Sequence, residues 1–192
     1  MNIANRLTIL RIILTFVFMF FLFVHGLWAK VIALAIFIFA ALSDFLDGRI
    51  AQKRNMVTDF GKLMDPIADK VLVLAAFAVF VQMQLIEAWM FVIIIFSEIL
   101  ITSLRLFALN KGKVLSAAKA GKHKTVFQMT VIFLILGFIV LKETMLTYFT
   151  WNPGWEQFFR RGIHLLMLFA VGLTLYSGLS YLWENRKIIT KM

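Results

Sequence analysis

The segment VIALAIFIFAALSDFLDGRIA, residues 31–51, decides how this chain folds. It opens on an unbroken run of apolar residues and closes on Asp44, Asp47 and Arg49. About 20 mostly apolar residues, wound as a helix, cross the ~30 Å hydrocarbon core of a bilayer. The apolar residues are continuous and do not alternate, which excludes a strand of a membrane barrel. The segment therefore reads as a membrane-spanning helix that carries two carboxylates to one membrane face.

Five further segments of the same kind surround it: Leu7–Leu27, Phe60–Met83, Trp89–Leu109, Ala117–Leu141 and Arg161–Trp183. With Val31–Ala51 they predict an all-α integral membrane protein of six transmembrane helices. Composition agrees. Of 192 residues, 62% are hydrophobic and 16% charged, where a water-soluble domain of this size carries about a quarter charged residues. No stretch has the composition of a linker, so residues 1–192 read as one membrane-embedded domain. The first apolar run is too long for a signal-peptide core and is followed by further spans. Trp28, Trp89, Trp151, Trp155 and Trp183 all fall at predicted span ends, where an interfacial aromatic belt places them. The chain has no cysteine, which excludes disulfides, thiolate metal sites and a thiol nucleophile.

The basic residues set the expected orientation. One set of connections and termini holds Arg6, Arg49, Lys53, Arg54, Lys62, Lys111, Lys113, Lys119, Lys122, Lys124, Arg186, Lys187 and Lys191. The opposite set holds only Lys30, Lys142, Arg160 and Arg161. Lysine and arginine stay on the cytoplasmic side, so both termini are expected there, in the cytoplasmic membrane. The net charge of +10 then faces anionic lipid headgroups, and nucleic-acid binding is not expected.

All the aspartates lie between Asp44 and Asp69, and four form a pattern. Asp44 and Asp47 are three apart near the end of the second span. Asp65 and Asp69 are four apart at the start of the third. Both spacings put side chains on one helix face. The short polar connection between the spans makes the two helices antiparallel neighbours, so four carboxylates are expected to converge. Uncompensated, they would repel one another at a membrane face. Oxygen-only ligands suit hard divalent cations such as magnesium or manganese, and two such ions balance four charges. A pair of ions clamps both ends of an in-line phosphoryl displacement. Gly48, Ala51 and Gly61 leave room beside the cluster for a bulky ligand.

Asp44-Phe-Leu-Asp47-Gly48-Arg-Ile-Ala51, with Gly61-Lys-Leu-Met-Asp65-Pro-Ile-Ala-Asp69, resembles the signature of the CDP-alcohol phosphotransferases. Gln52 stands where that family carries an arginine. The resemblance implies that Asp44, Asp47, Asp65 and Asp69 hold two metal ions and that Asp69 is also the general base. It further implies that Gly48 and Ala51 make room for the cytidine of the donor, with Gln52 and Gly61 beside them.

Three other segments are similar to the bacterial phosphatidylglycerophosphate synthases within that family. They are Asn5-Arg-Leu-Thr8-Ile-Leu-Arg11, Ser97-Glu98 through Arg105, and Gly121-Lys122-His123-Lys124-Thr125. Ser97 stands where those synthases carry an arginine. The implied substrates are CDP-diacylglycerol and sn-glycerol 3-phosphate, with membrane lipids around the protein and a homodimer as its assembly. Asn5, Thr8 and Arg11 are expected on the donor side, although Arg11 also fits a snorkelling juxtamembrane arginine. Arg105, Lys122, Lys124 and Thr125 are expected to hold the acceptor phosphate. Arg105 is a charge within an apolar run and needs an anion or a watery cavity. Lys122 and Lys124 open a helix, whose free N–H groups also favour an anion. The competing reading pairs Arg105 with Glu98, two turns away on the same helix. His25, His123 and His164 show no metal-ligand spacing and read as structural.

Overall fold

Each apolar run forms a helix in the structure, a computed structural model. It describes the backbone of residues 3–54, 59–110, 112 and 119–189. Their side chains are described except at 3–7, 44–54, 59–69, 109, 110, 119, 120, 122, 187 and 189. The helices are α1 (Ile3–Phe23), α2 (Leu27–Arg54), α3 (Asp59–Gln82), α4 (Ala88–Asn110), α5 (Lys119–Tyr148) and α6 (Pro153–Ile189). No strand occurs among the described residues. Stretches Ala88–Ala108, His123–Tyr148 and Pro153–Arg186 are long and apolar enough to cross a membrane. Shorter apolar stretches of the described residues are Thr8–Phe23, Leu27–Ser43 and Lys70–Gln82.

Most helices overrun the apolar segments that predict them, because the polar membrane interface still allows helix to continue. The largest difference is at α6, which begins eight residues before Arg161. Its start has a local cause. Asn152 Oδ1 accepts the Gly154 N–H at 2.8 Å, and Pro153 takes the first helical position, where a missing N–H costs nothing. The charges that interrupt the apolar pattern are matched within the first turns, with Arg160 Nη2 lying 2.9 Å from Glu156 Oε1. With 37 residues α6 is ~55 Å long, well beyond the hydrocarbon thickness.

The chain packs as two compact units, one of residues 1–79 and 134–155, the other of 80–133 and 156–192. In the first unit, α1 packs along α2. Phe18 and Phe37 meet with ring centroids 5.3 Å apart, and Ala29, Ala33 and Ala40 give α2 a smooth face for close approach. The connection after α1 turns at Gly26, whose φ of +102° suits glycine. Its N–H donates to Glu143 Oε1 at 3.1 Å.

In the second unit, Met90 and Ile94 of α4, Val131 and Ile132 of α5, and Ile163, Met167 and Ala170 of α6 are buried, and Ala108 and Tyr181 pack with Ile101, Leu104 and Ile188 in an apolar cluster. Large apolar side chains also point outward, among them Phe16, Phe39, Phe96, Val126, Phe158 and Leu165. In water such a surface would aggregate; in a bilayer it is the lipid-facing side.

Candidate active site

Asp44 and Asp47 lie in the second half of α2, and Asp65 and Asp69 in the first half of α3. The helical spacings expected from sequence therefore hold for the backbone. Their side chains, with those of Asn5, Gly48, Ala51, Gln52, Gly61 and Lys122, lie outside the described residues. The donor set itself is informative. It offers only carboxylate oxygens, in a chain with no thiolate to compete, which fits a hard divalent cation.

Of the residues expected on the donor side, Thr8 and Arg11 occupy one stripe of α1 with Thr15, Phe18 and Leu22, and all five are buried. The steps of three and four along this stripe explain the shared burial. Thr15 Oγ1 donates to the Arg11 carbonyl oxygen at 2.9 Å. Arg11 is 3% exposed, so its guanidinium does not snorkel along the surface. A buried cation on a membrane helix points to a polar interior at this end of α1.

The expected acceptor residues divide. Arg105 is exposed on α4, and among the described residues it has no ion-pair partner. Thr125 is exposed near the start of α5, its hydroxyl donating to the Gly121 carbonyl oxygen at 3.2 Å. Lys124 is different. Its ammonium lies 2.9 Å from Glu98 Oε1 and 3.4 Å from Ser97 Oγ, and the Lys124 and Glu98 side chains are 4% and 5% exposed. Glu98 is therefore joined to α5, where the sequence offered Arg105 as its partner.

A polar seam that sequence reasoning missed continues from this pair. Gln128 Nε2 donates to Thr174 Oγ1 at 3.3 Å, joining α5 to α6. Thr174, Ser177, Tyr181 and Asn185 are buried together on α6, again in steps of three and four. Gly178 lets α6 approach α4, since a Cβ there would sit 3.3 Å from Ser97 Oγ. The signal was present as polar residues at helical spacing within an apolar run, matched by Lys124 and Gln128 four apart on α5.

Comparison with known proteins identifies the family. The chain matches the family CDP-alcohol phosphatidyltransferase over residues 1–176 and belongs to it. It is thus a multi-pass membrane enzyme. Among its relatives is a Bacillus subtilis (strain 168) protein named CDP-diacylglycerol--glycerol-3-phosphate 3-phosphatidyltransferase. It is 35% identical over 180 residues, covering 82% of this chain and 93% of the relative. A Pseudomonas fluorescens protein of the same name is 31% identical over 196 residues, covering 97% of this chain and 93% of the relative. A third, from Salmonella typhimurium (strain LT2), is 35% identical over 192 residues, with 96% and 95% covered.

Proposed function

We propose that this enzyme transfers the phosphatidyl group of CDP-diacylglycerol to sn-glycerol 3-phosphate, giving phosphatidylglycerophosphate and CMP. The observation that carries this reading is similarity to enzymes of that name along nearly the whole chain, with the four aspartates held at helical spacing on α2 and α3.

The carboxylate of Asp69 accepts the proton of the acceptor's free primary hydroxyl. That oxygen attacks the phosphorus carrying the diacylglycerol, a new P–O bond forms, and the P–O bond to the nucleotide phosphate breaks as CMP leaves. A carboxylate among like charges is readily tuned to such a base role. Asp44, Asp47, Asp65 and Asp69 hold two divalent cations, magnesium or manganese, which supply charge neutralisation at the diphosphate. On the donor side, Asn5, Thr8 and Arg11 line the nucleotide region with Gln52, while Gly48, Ala51 and Gly61 leave space for the cytidine.

The acceptor phosphate meets Arg105, with Lys122 and Thr125 beside it. A guanidinium forms two parallel hydrogen bonds to a phosphate, which separates glycerol 3-phosphate from glycerol. The site and both termini face the cytoplasm, the lipid donor enters from the bilayer, and the protein assembles as a homodimer of one-domain chains.

The test is a panel of acceptors offered to the purified protein with CDP-diacylglycerol, following CMP release. Glycerol 3-phosphate is expected to outperform glycerol, serine, inositol phosphate and phosphatidylglycerol. Preference for any of these would refute the acceptor assignment while leaving the family chemistry in place.

A further inference from the structure

The fold leaves one buried hydroxyl of α6 unsatisfied. Tyr181 is 2% exposed, and its hydroxyl has no hydrogen-bond partner among the described residues. Its surroundings give the reason. Ile101, Leu104 and Ala108 of α4 and Ile188 of α6 share its cluster, and none has a polar side chain. A buried hydroxyl without a partner is rare, because it gives up its hydrogen bonds to water and gains none in return. Phenylalanine would fill the same space without that cost. The hydroxyl therefore reads as serving a partner that the cluster does not supply.

The position of Tyr181 suggests which partner. Ser97, Ile101, Leu104 and Ala108 follow one another in steps of four, three and four, so they form one stripe of α4. That stripe faces α6: a Cβ at Gly178 would lie 3.3 Å from Ser97 Oγ, and Tyr181 packs in the cluster of the other three. Glu98 faces α5, with its Oε1 2.9 Å from Lys124 Nζ. Arg105 is four residues after Ile101 and seven after Glu98. At about 100° per residue, it leaves α4 between those two directions, within ~40° of Ile101 and ~20° of Glu98. It is nevertheless exposed, so α5 and α6 do not close over it. An anion held by Arg105 thus sits beside the turn of α4, Leu104 to Ala108, against which Tyr181 packs from α6.

We infer that Tyr181 is a further ligand of the acceptor phosphate, its hydroxyl donating to an oxygen of the phosphate that Arg105 binds. This rests on the reading that the acceptor carries a phosphate and that Arg105 holds it. The phenol turns out of its cluster by a change of rotamer to reach the phosphate. Its hydroxyl loses no hydrogen bond in leaving and gains a charge-assisted one on arrival. The backbone stays in place during the turn, since Asn185 Nδ2 donates to the Tyr181 carbonyl oxygen at 2.9 Å.

The test compares full-length wild type with Tyr181→Phe and Arg105→Ala in detergent. It measures kcat, KM for glycerol 3-phosphate, KM for CDP-diacylglycerol, and the thermal midpoint with and without glycerol 3-phosphate. Tyr181→Phe removes one oxygen and keeps the ring. It is expected to raise the acceptor KM about tenfold, one charge-assisted hydrogen bond's worth, with the donor KM little changed. Its midpoint without ligand is expected to equal or exceed that of wild type, because an unpaired buried hydroxyl has gone. The rise in midpoint that glycerol 3-phosphate gives is expected to shrink.

An unchanged acceptor KM in Tyr181→Phe would overturn the inference. So would a raised donor KM alone, which would put the hydroxyl on the nucleotide side. A variant that fails to fold, or whose midpoint falls, would make the hydroxyl a structural group and overturn it as well. If Arg105→Ala raises the acceptor KM and Tyr181→Phe does not, the proposed reaction stands and this inference alone fails. If wild type prefers a different phosphorylated acceptor, the glycerol 3-phosphate reading fails by itself, and the same three proteins decide Tyr181 with that acceptor.

Discussion

Lys30 Nζ donates to the Leu22 carbonyl oxygen at 2.5 Å, so the first turn of α2 closes the open end of α1. The same ammonium also donates to the Val24 carbonyl oxygen at 2.9 Å. The last carbonyls of a helix have no partner within it, and a cation there satisfies them and complements the helix dipole. Lys30 is 8% exposed, so the loss of its charge-assisted bonds would not be made good by water. Lys30→Met is expected to cost about 1.5–3 kcal/mol, lowering the thermal midpoint by roughly 3–12 °C. Lys30→Arg should lose less. Thermal unfolding of the detergent-purified variants checks both.

The orientation proposed from the basic residues predicts position 53 and position 119 inside the cell, and positions 87 and 151 outside. Because the chain has no cysteine, single cysteines can be introduced at these four positions without competing thiols. An impermeant thiol reagent applied to intact cells is expected to label positions 87 and 151 alone. Labelling of position 53 from outside would reverse the orientation.

Arg105 carries the discrimination between glycerol 3-phosphate and glycerol in the proposed reaction. Losing a charge-assisted hydrogen bond worth about 1.5–3 kcal/mol weakens binding roughly ten- to a hundredfold. Arg105→Ala is accordingly expected to raise the acceptor KM by that factor and to leave the CDP-diacylglycerol KM nearly constant. Arg105→Lys should recover only part of the loss, since an ammonium cannot form the guanidinium's fork. Steady-state kinetics with each substrate varied in turn decide the matter. A raised donor KM with a normal acceptor KM would move Arg105 to the nucleotide side.

The aspartates make a cation-dependent prediction. Asp65→Asn and Asp69→Asn are each expected to abolish turnover without lowering the thermal midpoint, because they preserve shape and remove charge. Excess EDTA should silence the wild type, and magnesium or manganese should restore it. Full activity in EDTA would remove the cations from the reaction.

The helices were legible because a bilayer forces backbone groups to pair within each span, leaving long apolar runs as the signature. Their ends were less so. The apolar pattern begins α6 at Arg161, whereas the Asn152-Pro153 cap and the Glu156–Arg160 pair start it at Pro153. In the site, the spacing of Asp44, Asp47, Asp65 and Asp69 could be read directly because each pair lies within one helix. Glu98 could not be assigned in that way. Spacing within α4 offered Arg105, but the partner is Lys124 on α5, and a contact between helices leaves no trace in the periodicity of either one. Gln128 and Thr174, 46 residues apart, escaped for the same reason.

The most direct test of phosphatidyl transfer to glycerol 3-phosphate follows both products at once. Purified protein is given CDP-diacylglycerol and radiolabelled glycerol 3-phosphate, and chloroform-soluble label is compared with CMP released. The account predicts that the two rise together in equal amounts, that neither forms without both substrates, and that Asp69→Asn yields neither. CMP release without label entering the lipid fraction would contradict it.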